Sequence, residues 1–157
     1  MKKILKVLIF LLLIGMSIAL LFIGNGYNMY KEAIENMPLE EKVEEIRSKE
    51  NYAEFSELPQ MYVNAVISVE DKRFYKHNGI DIIAIGRAAI NDIKAMSYVE
   101  GGSTITQQLA KNMYFTQEKK MERKIAEVFM AWNIESHYSK EDIFELYVNN
   151  IFFGDGY

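Results

Sequence analysis

The chain opens on an apolar run and then changes character. Ile4 to Ile23 is a stretch of 20 residues whose one charge is Lys6, and a membrane-spanning helix needs about 20 predominantly apolar residues. Lys6 lies near the end, where its stem can snorkel to the interface. Lys2, Lys3 and Lys6 precede the run, and no charge follows until Lys31. That asymmetry predicts a cytoplasmic N-terminus and an extracytoplasmic remainder. A cleaved signal peptide would have a shorter apolar region ending at a small-residue site. Gly24-Asn25-Gly26-Tyr27 matches that poorly, so the run reads as an uncleaved anchor. Residues 31–57 are acidic and lysine-rich, with sparse apolar positions at Ile34, Leu39, Val43 and Ile46. They read as a solvated helix or stalk.

From Pro59 the periodicity is helical. Met61, Tyr62, Ala65, Val66 and Val69 form a stripe ending at Glu70, as one face of a helix requires. A polar, aromatic loop covers 71–79, and Asp81 is placed to cap the next helix. There Ile82, Ile83, Ile85, Ala89, Ile90, Ile93 and Met96 cover more than one face, which predicts contact with a membrane or a partner. Gly101-Gly102-Ser103-Thr104 forms a turn leading into a helix over 107–113. A further helix carries Ile125, Val128, Phe129 and Trp132 on one side. Ser139 and Asp142 then form a capping-box start for a last helix with Ile143, Phe144, Leu146 and Tyr147 inward. No strand alternation is convincing, and the fold class is mainly α. The organisation predicted is a cytoplasmic tip and anchor at 1–30, a stalk at 31–57 and one domain at 58–157.

Composition narrows the chemistry. With no cysteine among 157 residues, a disulfide scaffold, a Cys-ligated zinc site and a thiol nucleophile are excluded. Without Lys2, Lys3 and Lys6, residues 31–157 carry 15 of the 18 Lys+Arg against 22 Asp+Glu, a net of −7. A basic nucleic-acid surface is therefore not expected, and an anion site must be a local cluster. There is no HExxH, GxGxxG, SxxK or phosphate-binding Gly-Lys-Ser/Thr loop.

What remains is carboxylates beside cations. Glu70-Asp71 ends a helix and opens the aromatic loop. Arg123 and Glu127 are spaced as an i, i+4 ion pair, ordinarily worth about 0.2–0.5 kcal/mol. Lys111, Lys119, Lys120, Arg123 and Lys124 form a cationic segment. It reads either as a solvated helix face or as a phosphate or pyrophosphate clamp. The turn at 101–104 can bring backbone N–H groups to an anion.

In order, EDKRFYKHNGID (70–81), GGSTITQQLAKN (101–112), RKIAE (123–127) and KEDIFELYVNNIFFG (140–154) resemble successive motifs of the peptidoglycan glycosyltransferases, glycosyltransferase family 51. That family holds monofunctional transglycosylases and the N-terminal domain of class A penicillin-binding proteins. The resemblance implies an α-helical, lysozyme-like fold with a smaller jaw lobe touching the bilayer, to which 82–98 would belong. It implies polymerisation of lipid II into β-1,4-linked glycan strands with inversion and release of undecaprenyl pyrophosphate. The place implied is the bacterial cytoplasmic membrane, single-pass, with the catalytic domain outside.

By the same resemblance Glu70 is the general base on the acceptor's 4-hydroxyl, and Glu127 is the second catalytic glutamate, organising the pyrophosphate end. Lys111, Lys119, Arg123 and Lys124 bind the donor's pyrophosphate, Lys119 standing where relatives often carry arginine. Asp71, Phe74, His77 and Gly79 shape and support the substrate cleft, and Ser103, Thr104, Gln107 and Gln108 line it. Glu145, Tyr147, Asn149 and Asn150 are mostly structural. No cofactor is required, and the one the resemblance allows is a divalent cation, Mg2+ or Mn2+, at the pyrophosphate. The expected partners are lipid II, the growing glycan strand, the membrane and other cell wall synthesis proteins, with no nucleic acid. Family domains continue past the fourth motif, so the resemblance predicts a C-terminally truncated piece. A lysozyme-like glycan-cleaving enzyme and an inactive wall-binding fragment are the competing readings.

Overall fold

The computed structural model describes residues 2–97, 101–116 and 120–151. Among them the chain forms seven α-helices and no strand. These are α1 (Lys2–Asn36), α2 (Leu39–Arg47), α3 (Gln60–Glu70), α4 (Ile82–Ala95), α5 (Ile105–Tyr114), α6 (Met121–His137) and α7 (Lys140–Asn150), with 3-10 turns at Phe55–Glu57 and Phe74–Lys76. The mainly α reading holds.

α1 is one helix of 35 residues. It is the helix among the described residues long and apolar enough to cross a membrane, and its apolar window is not buried inside the protein. At 1.5 Å per residue it continues about 20 Å beyond Ile23, and that extension docks on α6. Gly26 is buried there, because a Cβ would lie 2.5 Å from Ile125 Cγ2 and 2.9 Å from the Glu122 carbonyl oxygen. Tyr27, the next residue, and Tyr30, one turn on, meet the ring of Phe129 at centroid distances of 5.2 and 6.0 Å.

The stalk expected at 31–57 is instead part of the domain. Its sparse apolar residues are the ones the core takes up: Leu39, Val43 and Ile46 of α2 are buried, with Ala33, Ile34, Tyr52 and Phe55 packed against the same cluster. Spacing of i, i+4, i+7 along a short acidic helix is enough to make one buried face. Glu145 of α7 accepts from the Tyr52 hydroxyl and, at 2.7 Å, from the Phe55 N–H. Asn149 brackets Ala53 at both its N–H and its carbonyl. The structural role expected of Glu145 and Asn149 is thus the pinning of segment 52–55, and the boundary at 58 is not a structural one.

The core joins α2, α5, α6 and α7 with Val63 of α3 and Phe74. α7 buries Ile143, Phe144, Leu146 and Tyr147 and starts on a Ser139/Asp142 capping box, as expected. Two faces differ from expectation. In α3 Tyr62 and Val66 of the predicted stripe pack against the core, but the buried residue is Val63, while Met61 and Val69 are exposed. In α6 the core takes Ala126, Met130, Ala131 and Ile134, and the predicted face of Ile125 and Phe129 serves the α1 contact instead. An amphipathic pattern locates a stripe, but α6 has two, one for each neighbour.

α4 stands apart. Asp81 caps it by accepting from Ile83 N and Ala84 N. Of its apolar residues Ala88 is buried, while Ile82, Ile83, Ile85, Ile90 and Ile93 stay exposed. Gly102 packs on it closely, a Cβ there falling 3.1 Å from Ile85 Cα. The expected bilayer-facing segment runs to 98, which lies outside the described residues.

Candidate active site

The end of α3, the loop behind it, the first half of α4, the turn at 101–104 and α5 enclose a cleft of about 450 Å³. Glu70, Asp71, Ser103, Thr104, Gln108 and Lys111 all line it. Six residues expected at the site from two separate sequence motifs are therefore brought together. Lys72, Arg73, Asp81 and Arg87 line it too, none of which sequence reasoning placed in the cleft.

Glu70 is the last residue of α3 and is exposed to the cleft. Its Oε2 accepts a hydrogen bond of 2.8 Å from Gln108 Nε2. Asp71, one residue on, turns inward and is 6% exposed. It accepts from His77 Nε2 at 2.9 Å and from the Ile105 N–H at 3.1 Å. Asp71 thereby satisfies one of the N–H groups that a helix start leaves without a partner. A carboxylate at the end of α3 in this way fixes the start of α5.

Thr104 is the N-cap of α5, in a reciprocal box with Gln107. Its hydroxyl donates to the Gly79 carbonyl at 2.6 Å, and the Gly79 N–H donates to Glu135 at 3.0 Å. Gly79 has φ +84°, with a Cβ falling 3.2 Å from the Ala131 backbone, so the loop 71–79 returns along α6 at a position that suits glycine alone. Glu135 also accepts from Thr106 at 2.6 Å and Lys140 at 2.6 Å. Sequence reasoning missed Glu135, because two of its partners, Gly79 and Thr106, come from distant segments.

Phe74, His77 and Gln107 were expected on the cleft, and the structure places them behind it. Phe74 is fully buried, packed edge-on against Phe144 under the Lys140 ammonium. His77 is committed to Asp71, and Gln107 to the Thr104 cap. An aromatic ring and a reciprocal capping amide are held by the core more strongly than by water.

Glu127 lies fully buried on α6. Its Oε1 accepts from Arg123 and its Oε2 from Lys124 at 2.8 Å. The i, i+4 pair anticipated from spacing exists, but Lys124 adds a second cation. Lys124 also donates to Ser103 Oγ at 2.6 Å, which ties the α6 cluster to the cleft wall. Lys119 lies outside the described residues. Both carboxylate oxygens of Glu127 face cations, and among the described residues no group of three or more His, Cys, Asp or Glu is placed to hold a metal ion.

Asp81 is 2% exposed and pairs with Arg73 Nε at 3.0 Å. Burial pushes its carboxyl up, but the Ala84 N–H, Arg73 and the Ile83 N–H outweigh it, and the carboxyl sits below its ordinary value.

Known proteins share much of this sequence. A family model described as "Transglycosylase" matches residues 37–157, a span that begins at α2. Penicillin-binding protein 1F of Bacillus subtilis is 52% identical over 101 residues, 64% of this chain and 14% of that protein. Penicillin-binding protein 1A of Aquifex aeolicus is 47% identical over 108 residues, 69% of this chain and 15% of its own length. A monofunctional glycosyltransferase of Staphylococcus epidermidis is 45% identical over 116 residues, 72% of this chain and 43% of its own. The chain spans less than half the length of each.

Proposed function

The chain belongs to the transglycosylase family, and from that premise and the cleft's geometry we infer that it is the catalytic region of a peptidoglycan glycosyltransferase. Its substrate is lipid II and its product a β-1,4-linked glycan strand. The observation that carries this reading is one cleft holding an exposed carboxylate, Glu70, together with Lys111 and with Ser103, behind which Lys124, Arg123 and Glu127 form a charge cluster.

In this reading Glu70 takes the proton of the acceptor sugar's 4-hydroxyl. The oxygen attacks the donor's anomeric carbon as the bond to the pyrophosphate oxygen breaks, and the configuration inverts. A positioned base contributes about 10²–10⁴-fold. Lys111, Arg123 and Lys124 stabilise the charge growing on the leaving undecaprenyl pyrophosphate, as fixed cations do for transferring phosphoryl groups. Glu127 acts here as the counter-charge that holds Arg123 and Lys124 in place.

The position of α6 supports a lipid-linked donor. Gly26 meets Ile125 three residues after the apolar run ends, about 4.5 Å along the helix. The start of α6, with Arg123 and Lys124, therefore stands at the level of lipid headgroups. The lysine asymmetry at the N-terminus supports a position of this surface outside the cytoplasmic membrane, with the exposed isoleucines of α4 as a second contact to the bilayer.

The test is polymerisation of labelled lipid II in detergent by the full-length protein and its Glu70→Gln variant. Polymer lost in the variant supports the reading. Shortening of purified glycan would support a glycan-cleaving enzyme instead, and neither activity in a folded protein would leave a wall-binding role.

A further inference from the structure

We propose that Gln108 and Tyr147 are positioning residues that together fix the orientation of the Glu70 carboxylate. The proposal rests on the reading of Glu70 as the general base and adds what aims it. Glu70 ends α3, Gln108 lies in α5 and Tyr147 in α7, so three helices meet in one chain of hydrogen bonds. Tyr147 O–H donates to Gln108 Oε1 at 3.4 Å, and Gln108 Nε2 donates to Glu70 Oε2 at 2.8 Å.

The order of donors matters. A glutamine amide can turn over, exchanging its oxygen and its NH2. Turned over, it would set its carbonyl against the Glu70 carboxylate, a contact between two acceptors. The Tyr147 hydroxyl selects the other orientation, because it offers a proton to the Gln108 carbonyl. Tyr147 keeps that proton: its side chain is 1% exposed, and burial pushes the phenol well above its ordinary value, with Glu70 and Tyr62 adding to the effect. One oxygen of Glu70 is thereby held, and Oε1 is left to the acceptor's hydroxyl. An exposed glutamate at a helix end otherwise samples several rotamers, and a misaimed base loses the benefit of proximity. The fourth sequence motif then contributes to catalysis from behind the cleft, without touching substrate.

The experiment is steady-state polymerisation of lipid II by the full-length protein, with Tyr147→Phe, Gln108→Ala and the double variant. Tyr147→Phe keeps the buried ring and deletes the hydroxyl alone. The expected result is a kcat lowered about 2–10-fold, the scale of one neutral hydrogen bond, with KM for lipid II unchanged. Gln108→Ala lowers kcat further, and the double variant is no worse than Gln108→Ala, because Tyr147 acts through an amide that is then missing. Multiplying effects in the double variant, an unchanged kcat in Tyr147→Phe, or a change in KM alone would overturn the proposal. A second readout does not depend on turnover. The 15N side-chain amide of Gln108 is expected to exchange slowly with solvent, and to exchange faster in both Tyr147→Phe and Glu70→Ala. An amide indifferent to both variants overturns the proposal. Full activity in Glu70→Gln with a protected amide would instead remove the base assignment and leave the hydrogen-bond chain standing.

Discussion

Lys124 places its ammonium 2.8 Å from Oε2 of Glu127, a carboxylate with no exposed surface, and reaches the Ser103 hydroxyl with the same group. Glu127 is thus a buried anion whose two oxygens are both matched by cations on its own helix. Breaking such a pair by removing one partner is far more costly than its Coulomb attraction suggests, because a buried charge is left unmatched.

Glu127→Gln is the direct consequence. It keeps the shape and deletes the charge, leaving Arg123, whose side chain is 12% exposed, beside a neutral amide. The expected loss is about 3 kcal/mol. Lys124→Met should be milder, about 1 kcal/mol, since that side chain is 43% exposed and Arg123 still faces Glu127. Urea unfolding of the two variants in detergent gives the comparison. Equal losses would mean that burial of Glu127 does not set the cost.

Gly26 sets how closely α1 approaches α6. A methyl group there overlaps Ile125 and the Glu122 carbonyl oxygen, so Gly26→Ala must push the helices apart. Overpacking of this kind costs about 1–3 kcal/mol, more than the roughly 1 kcal/mol that alanine gains over glycine in a helix. Gly24 has nothing within 4 Å of its would-be Cβ, and Gly24→Ala should be neutral or stabilising. Trp132, the one tryptophan, stacks edge-on with Phe129 at 5.7 Å. Its fluorescence should shift in Gly26→Ala and hold in Gly24→Ala.

The sequence carried the local decisions and lost the long-range ones. The Ser139 cap, the inward face of α7 and the Asp81 cap follow from spacing within one turn, and all three stand in the structure. The motif order also led to Glu70, Ser103, Gln108 and Lys111, which the cleft does assemble. Val63 and the two faces of α6 were not legible, because which stripe is buried depends on which neighbour arrives. The stalk reading failed for the same reason: Leu39, Val43 and Ile46 look solvated until α7 packs on α2. Glu135 lay beyond reach, since Gly79 and Thr106 reach it only once the loop at 71–79 and the start of α5 fold against α6.

That loop gives a further prediction at Gly79. Its peptide groups are held from both sides, by Glu135 at the N–H and Thr104 at the carbonyl. A side chain there faces the left-handed conformation, about 1–2 kcal/mol for an L-residue, and contact with the Ala131 backbone as well. Gly79→Ala should lose about 2–3 kcal/mol in total, read as a lower urea midpoint. Gly86→Ala is the control, with open space around it and a gain in helix propensity.

Stability should also fall at alkaline pH, and the buried phenols say where. Tyr52 is pushed up to about 12, chiefly by burial and then by its hydrogen bond to Glu145, against the opposing effect of Arg47. In the unfolded chain the same phenol titrates near 10. Below pH 10 both states hold the proton, so the stabilisation is complete. Between 10 and about 12 the unfolded state ionises first and gains, and the contribution is gone once pH passes the folded value. Tyr114 and Tyr147 are raised in the same direction, again chiefly by burial, and they extend the decline. Tyrosinate absorbance of the folded protein against pH should therefore rise late, with one step near 12 that Tyr52→Phe removes. A step at 10 for Tyr52 in the folded protein would mean that its bond to Glu145 is not made, and that segment 52–55 is free of α7.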